Sequence, residues 1–257
     1  MLHFFKHRRR MKLRSLPVPA SWLEIIDRNA PVTAALSEAD RAELFGHVHV
    51  LLAEKRIEGC GGLTMTDEIR VTIAAQASLL LLHRETDYFP TLRSVLVYPD
   101  SYIAPLSEEQ KDGTVIEGHE VREGESWHEG ALALSWVDVM NGAADPHDGN
   151  NLVLHEFAHQ LDSETGDEDG MPWLASAARR ETWRRVLGAE FEALRHAVED
   201  MRPTLLDEYG AESPAEFFAV ATECFFELPC ELKREHPELY EQLALFYTLD
   251  PANWDSS

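Results

Sequence analysis

Cysteine is scarce in this chain: Cys60, Cys224 and Cys230 are the only three in 257 residues. Three scattered thiols exclude a disulfide framework and a cysteine-based zinc site. They are expected to stay reduced and buried, as in a cytoplasm. Long hydrophobic runs are also missing. The longest, Val71 to Leu82, is interrupted by Thr72, Gln76 and Ser78 and is too short to span a bilayer. The N-terminus has no apolar stretch of the signal-peptide kind, so a cytoplasmic chain is expected. Positive charge is the third shortage. The 23 Lys and Arg stand against 46 Asp and Glu, for a formal net charge of −23. Such a surface repels nucleic acid and anionic membrane, so direct nucleic-acid binding is not expected, just as the short apolar runs leave no membrane span expected.

What is present reads as a globular protein, 44% hydrophobic and 27% charged. The few cations are concentrated at one end. Residues 1–15 carry Lys6, Arg8, Arg9, Arg10, Lys12 and Arg14 and no acid. They are expected to form a flexible basic arm, or to lie against the acidic body. With Leu2, Phe4 and Phe5 beside the charges, a weak tether to a membrane or partner is a further reading. Residues 16–257 read as one α+β domain, mostly helical, with a small sheet upstream of the best-marked helix.

Local signals place the elements. Ser37-Glu38-Ala39-Asp40 starts a helix to about Arg56, and Thr66 caps another through about His83. Val95 to Tyr98 reads as a strand, Gly113 to Gly130 as a segment with short strands at most, and Ala131 to Val139 as a strand. Asn141 to Gly149 is expected to be a polar loop and Leu174 to about Met201 one long or broken helix. Ser213-Pro214-Ala215-Glu216 opens a helix ending near Pro229, and a last one spans about Pro237 to Leu249. The strand Ala131 to Val139 is either a core strand or an edge to which an extended peptide adds.

The best-marked helix holds His155-Glu156-Phe157-Ala158-His159, an H-E-x-x-H pattern. Residues four apart lie one turn apart on one helix face. His155 and His159 can therefore aim both imidazoles at one zinc ion. Glu156, about 100° further round, reaches an activated water rather than the metal. Leu154, Phe157, Ala158 and Leu161 form an apolar face beside them. Asp162, seven residues after His155, can orient a ligand histidine through its free ring nitrogen or can be a helix-end surface carboxylate.

Catalytic zinc takes three protein ligands. The extended pattern H-E-x-x-H-x-x-G-x-x-H is excluded, because Asp162 and Thr165 stand where it needs glycine and histidine. A glutamate on a later helix remains. Glu212, Glu216 and Glu223 all qualify by position, and Glu216 also fits a capping box with Ser213. His119, His128 and His147 lack ligand spacing for a second metal and are read as structural or surface histidines.

The run from His155 to Asp162, followed by Asp207-Glu208-Tyr209-Gly210-Ala211-Glu212-Ser213-Pro214-Ala215-Glu216-Phe217-Phe218, resembles the Mlc titration factor A (MtfA) family of bacterial cytosolic zinc metallopeptidases. The resemblance covers about Trp22 to about Leu249. It implies a gluzincin-type core related to that of anthrax lethal factor, with one zinc ion held by His155, His159 and Glu216. It also implies aminopeptidase-type activity on peptides, with Glu156 as base and Tyr209 facing the metal. In enterobacteria the family binds the Mlc repressor, which makes a repressor of that type an expected partner and sequestration of it an alternative function.

Overall fold

The computed structural model describes residues 2–100, 102–109, 115–122, 124–127 and 130–254, and side chains at 4–100 and 130–254. The chain opens with helices α1 (Leu2–Arg14), α2 (Ala20–Asn29) and α3 (Glu38–Glu54), then strand β1 (Arg56–Gly59) and helix α4 (Asp67–Leu79). Strands β2 (Ser94–Tyr98), β3 (Tyr102–Glu109), β4 (Val115–Arg122), β5 (Gly124–Trp127) and β6 (Ala131–Ser135) follow. The rest is helical: α5 (Trp136–Ala144), α6 (Leu152–Asp162), α7 (Ala177–Glu199), α8 (Pro214–Glu227), α9 (Pro229–Glu235) and α10 (Pro237–Tyr247). This is the α+β, mostly helical arrangement that the sequence predicts. No helix among the described residues is long and apolar enough to cross a membrane.

Strands β1, β2 and β6 pair in parallel, β5 adds antiparallel to β6, and the order is β1-β2-β6-β5. Strands β3 and β4 form a separate antiparallel pair. The apolar run after Gly130 is therefore shorter as a strand than expected. Ser135 ends it by accepting a hydrogen bond from the Asp138 amide, which caps α5. The helix then occupies Trp136–Ala144, including part of the expected loop. Strand β6 has a neighbour on each side, so it is a core strand and not the edge that an extended peptide would join.

The caps predicted at Ser37 and Thr66 are made, to the amides of Asp40 and Ile69. Helix α4 stops at Leu79 rather than near His83, and His83 has φ 57°. Leu80, Leu81 and Leu82 are all fully buried, as a tight turn inside the core permits and one amphipathic helix face does not.

Helix α8 is the centre of the core. Every residue from Phe217 to Glu227 is buried. A helix that is enclosed all round is held by neighbours on several sides. Phe225 stacks on Tyr247 at 5.5 Å, and Trp183 meets Phe218 edge-on at 5.7 Å, which joins α7, α8 and α10. Helix α6 packs along the side of α8.

The basic segment is a helix docked on α3. Arg10 is 9% exposed, and its guanidinium donates to both oxygens of Glu54 and to Asp87. Arg14 pairs with Glu43, and Lys6 with Asp87. These ion pairs lay the basic segment against acidic side chains of α3 and against Asp87. All three cysteines are free, but only Cys224 is buried; Cys60 is partly exposed and Cys230 exposed.

Candidate metal centre

Asn151 sets the start of α6. Its side-chain oxygen accepts the Leu154 amide at 3.1 Å. From there, Leu154, Phe157, Ala158 and Leu161 enter the core at no more than 2% exposure, so the helix cannot rotate about its axis. The opposite side presents His155 and His159, with ring centroids 4.9 Å apart. Their Nε2 atoms are 3.2 Å apart.

Glu216 completes the group from α8. Its Oε2 lies 3.0 Å from His155 Nε2 and 3.2 Å from His159 Nε2. The Ser213 half of the capping box forms, since Ser213 Oγ accepts the Glu216 amide at 3.2 Å. The glutamate half does not: the carboxylate turns to the imidazoles instead of folding back to the backbone. Among the described residues, these three are the side chains whose ligand atoms converge, all within 4.8 Å.

The donor set fits a divalent metal of the zinc kind. Bonds of about 2.0–2.1 Å at tetrahedral angles place ligand atoms roughly 3.3 Å apart. The observed separations of 3.0, 3.2 and 3.2 Å are close to that. Two imidazole nitrogens and one carboxylate would hold such an ion with fewer than the four protein ligands of a closed structural site. The histidine side chains are 12% exposed and that of Glu216 21%, so the group opens to solvent.

Glu156 lies beside the group, buried at 6% exposure, and its Oε2 has no hydrogen-bond partner in the protein. Burial raises its pKa. For the protein groups alone, burial also opposes ionisation of Glu216, but the hydrogen bonds from His155 and His159 outweigh it and hold the carboxyl at about 2. Burial lowers the pKa of His155, but Glu223 and Glu216 outweigh it and raise it well above the usual histidine range.

Tyr209 sits in a 3-10 turn, Glu208–Ala211, that Asp207 initiates by accepting the Tyr209 amide at 2.8 Å. Its ring is 5.9 Å from that of His155 and 46% exposed. It therefore borders the imidazole pair from the open side. Gly210 beneath it lies close against Leu194 and Val220, where a Cβ would come within 3.2–3.3 Å.

Two expectations change. Asp162 is fully buried rather than at the surface, and its Oδ2 accepts the Gly170 amide at 2.8 Å instead of bonding an imidazole. Burial raises its pKa to about 6. The carboxylate behind an imidazole is Glu223, whose Oε1 lies 2.7 Å from His155 Nδ1. Glu223 is thus near the group without joining it, and Glu212 is exposed at the turn. The spacing of seven between Glu216 and Glu223 signals a shared helix face, but does not order the two along it. His147 is exposed and its amide donates to Asp145. The side chains of His119 and His128 lie outside the described residues.

The model of a family described as glucose-regulated metallo-peptidase M90 matches residues 4–248. An uncharacterized protein of Synechocystis is 38% identical over 246 residues, covering 95% of this chain and 89% of that protein. Mlc titration factor A of Yersinia pestis is 31% identical over 254 residues, covering 93% of this chain and 89% of that protein. Mlc titration factor A of Yersinia pseudotuberculosis matches to the same extent.

Proposed function

The chain belongs to the glucose-regulated metallopeptidase family M90, and from that membership we propose a zinc-dependent peptidase of aminopeptidase type, acting on peptides in the cytoplasm. The observation that carries the proposal is the convergence of His155 Nε2, His159 Nε2 and Glu216 Oε2, with the buried Glu156 carboxylate, whose Oε2 has no protein partner, on the same helix as the two histidines. His155, His159 and Glu216 would hold one zinc ion. When bound, zinc lowers the pKa of water and polarises the scissile carbonyl.

The protein groups supply the remainder. Glu156 takes a proton from the attacking water and passes it to the leaving amine. The Tyr209 hydroxyl donates a hydrogen bond to the oxygen on which negative charge develops. A purely structural zinc site accords poorly with two histidines and one glutamate, because such sites are usually closed by four protein ligands.

The test is metal content together with hydrolysis of amino-acid anilides, for the wild type and Glu156→Ala. Both are expected to bind about one zinc per chain, while the variant loses activity by several orders of magnitude. Equal rates in the two proteins sink the proposal.

A second reading is sequestration of a transcriptional repressor of the Mlc type. What supports it is the identity with relatives named Mlc titration factor A. Capture of such a repressor that is indifferent to Glu156→Ala favours this role, and it is compatible with peptidase activity if the two use different surfaces.

A further inference from the structure

We propose that Glu223 is a positioning residue that fixes the tautomer and ring orientation of His155 for metal binding. The proposal rests on the metal-centre reading above and adds a residue to it.

His155 lies between two acids of α8 and offers one ring nitrogen to each. Nε2 faces Glu216 and Nδ1 faces Glu223. Glu216 and Glu223 are seven residues apart, roughly 10 Å along a helix axis. One metal ion near Glu216 is therefore out of reach of Glu223, and the imidazole spans the interval.

The second oxygen of Glu223 is also engaged. Oε2 accepts the backbone amide of Asn151, the residue that caps α6. With both oxygens occupied, the carboxylate cannot swing away from the ring. Without metal, both ring nitrogens face a carboxylate; with a metal on the Nε2 side beside Glu216, the one hydrogen left on the neutral ring would be on Nδ1, where the Glu223 carboxylate accepts it. Glu223 thereby ties a ligand side chain to the start of the helix that bears it. Its exposure is 5%, which keeps water from replacing either bond.

Glutamine in place of Glu223 keeps the shape but accepts well at only one end. Either His155 Nδ1 or the Asn151 amide would then face an NH2 group. Glu227 supplies the control: its Oε1 accepts from Asn151 Nδ2 at 3.0 Å, but no bond joins it to His155.

The experiment strips the metal from the full chain and measures zinc affinity by competition with a chromophoric chelator. It compares wild type, Glu223→Gln and Glu227→Gln, and records the melting temperature of each metal-free form. Glu223→Gln is expected to lose about 10- to 100-fold in zinc affinity. Glu227→Gln should stay within about threefold of wild type even where its metal-free melting temperature shifts, because it keeps the imidazole's partner.

A separate measurement needs no variant: the nitrogen-15 and proton spectrum of the histidine rings in the zinc-loaded wild type. It should show His155 protonated on Nδ1. Wild-type affinity in Glu223→Gln, or a His155 proton on Nε2, overturns the proposal while leaving the metal centre standing. Absence of saturable zinc binding by the wild type overturns both together.

Discussion

The Asp162 carboxylate accepts the amide hydrogen of Gly170 at 2.8 Å, and this bond holds the end of α6 to a loop residue that lies against the beginning of α8. The Gly170 carbonyl accepts the Trp183 indole at 2.9 Å. Its α-carbon faces the Pro214 carbonyl so closely that a Cβ would come within 2.2 Å. A residue three positions past His159 is thereby coupled to the turn two positions before Glu216.

Gly170→Ala should therefore destabilise the protein and disturb the metal group together. Gly170 has φ 75°, a region that costs other residues about 1–3 kcal/mol, and the overlap with Pro214 adds to it. Denaturant unfolding should show a loss of at least about 2 kcal/mol. Zinc affinity should fall as the start of α8 moves. An unchanged midpoint would count against this bracket.

Glu216→Ala removes the one carboxylate among the converging atoms. Zinc bound per chain, measured after dialysis, should fall from about one to well below it, since two histidines alone make a weak site. The thermal shift on adding zinc to metal-free protein should vanish as well.

Tyr209→Phe isolates the hydroxyl. The ring is 46% exposed, so stability and zinc content should barely change. If the hydroxyl donates to the developing oxyanion, kcat should fall by about 10²–10³, as for other single oxyanion donors. A change confined to KM would point to substrate contact instead.

Glu227 gives a prediction in pH. Burial raises its pKa from 4.5 to about 8. Between those values the folded chain keeps a proton that the unfolded chain has released. Stability should therefore decline as pH rises through that window, by up to roughly 1.4 kcal/mol per pH unit from this group. Glu227→Gln cannot ionise, so its stability should vary less from pH 5 to pH 8. Parallel curves for the two proteins would remove Glu227 as the cause.

Much of the helical architecture can be read locally. Ser37, Thr66, Ser213 and Asn151 all cap the helices that follow them, because a cap depends only on residues two or three positions away. Helix α5 was hidden because Ala131 to Val139 is apolar almost throughout, and apolar runs do not distinguish strand from helix by period. Helix α9 was hidden because Pro229 reads as a stop, whereas it occupies the first position of a new helix. The docked state of α1 depends on Arg10 meeting Glu54 and Asp87, more than forty residues away.

The sequence alone determined that His155 and His159 share a helix face and that Glu156 stands beside them, since those relations follow from the period of one helix. Tertiary structure decided between Glu216 and Glu223, placing the former among the imidazoles and the latter behind one of them. Both acids occupy the same face of α8, so helical period cannot separate them. Their difference is set by how far α8 is offset along α6, a packing relation between two helices far apart in sequence that no local pattern encodes.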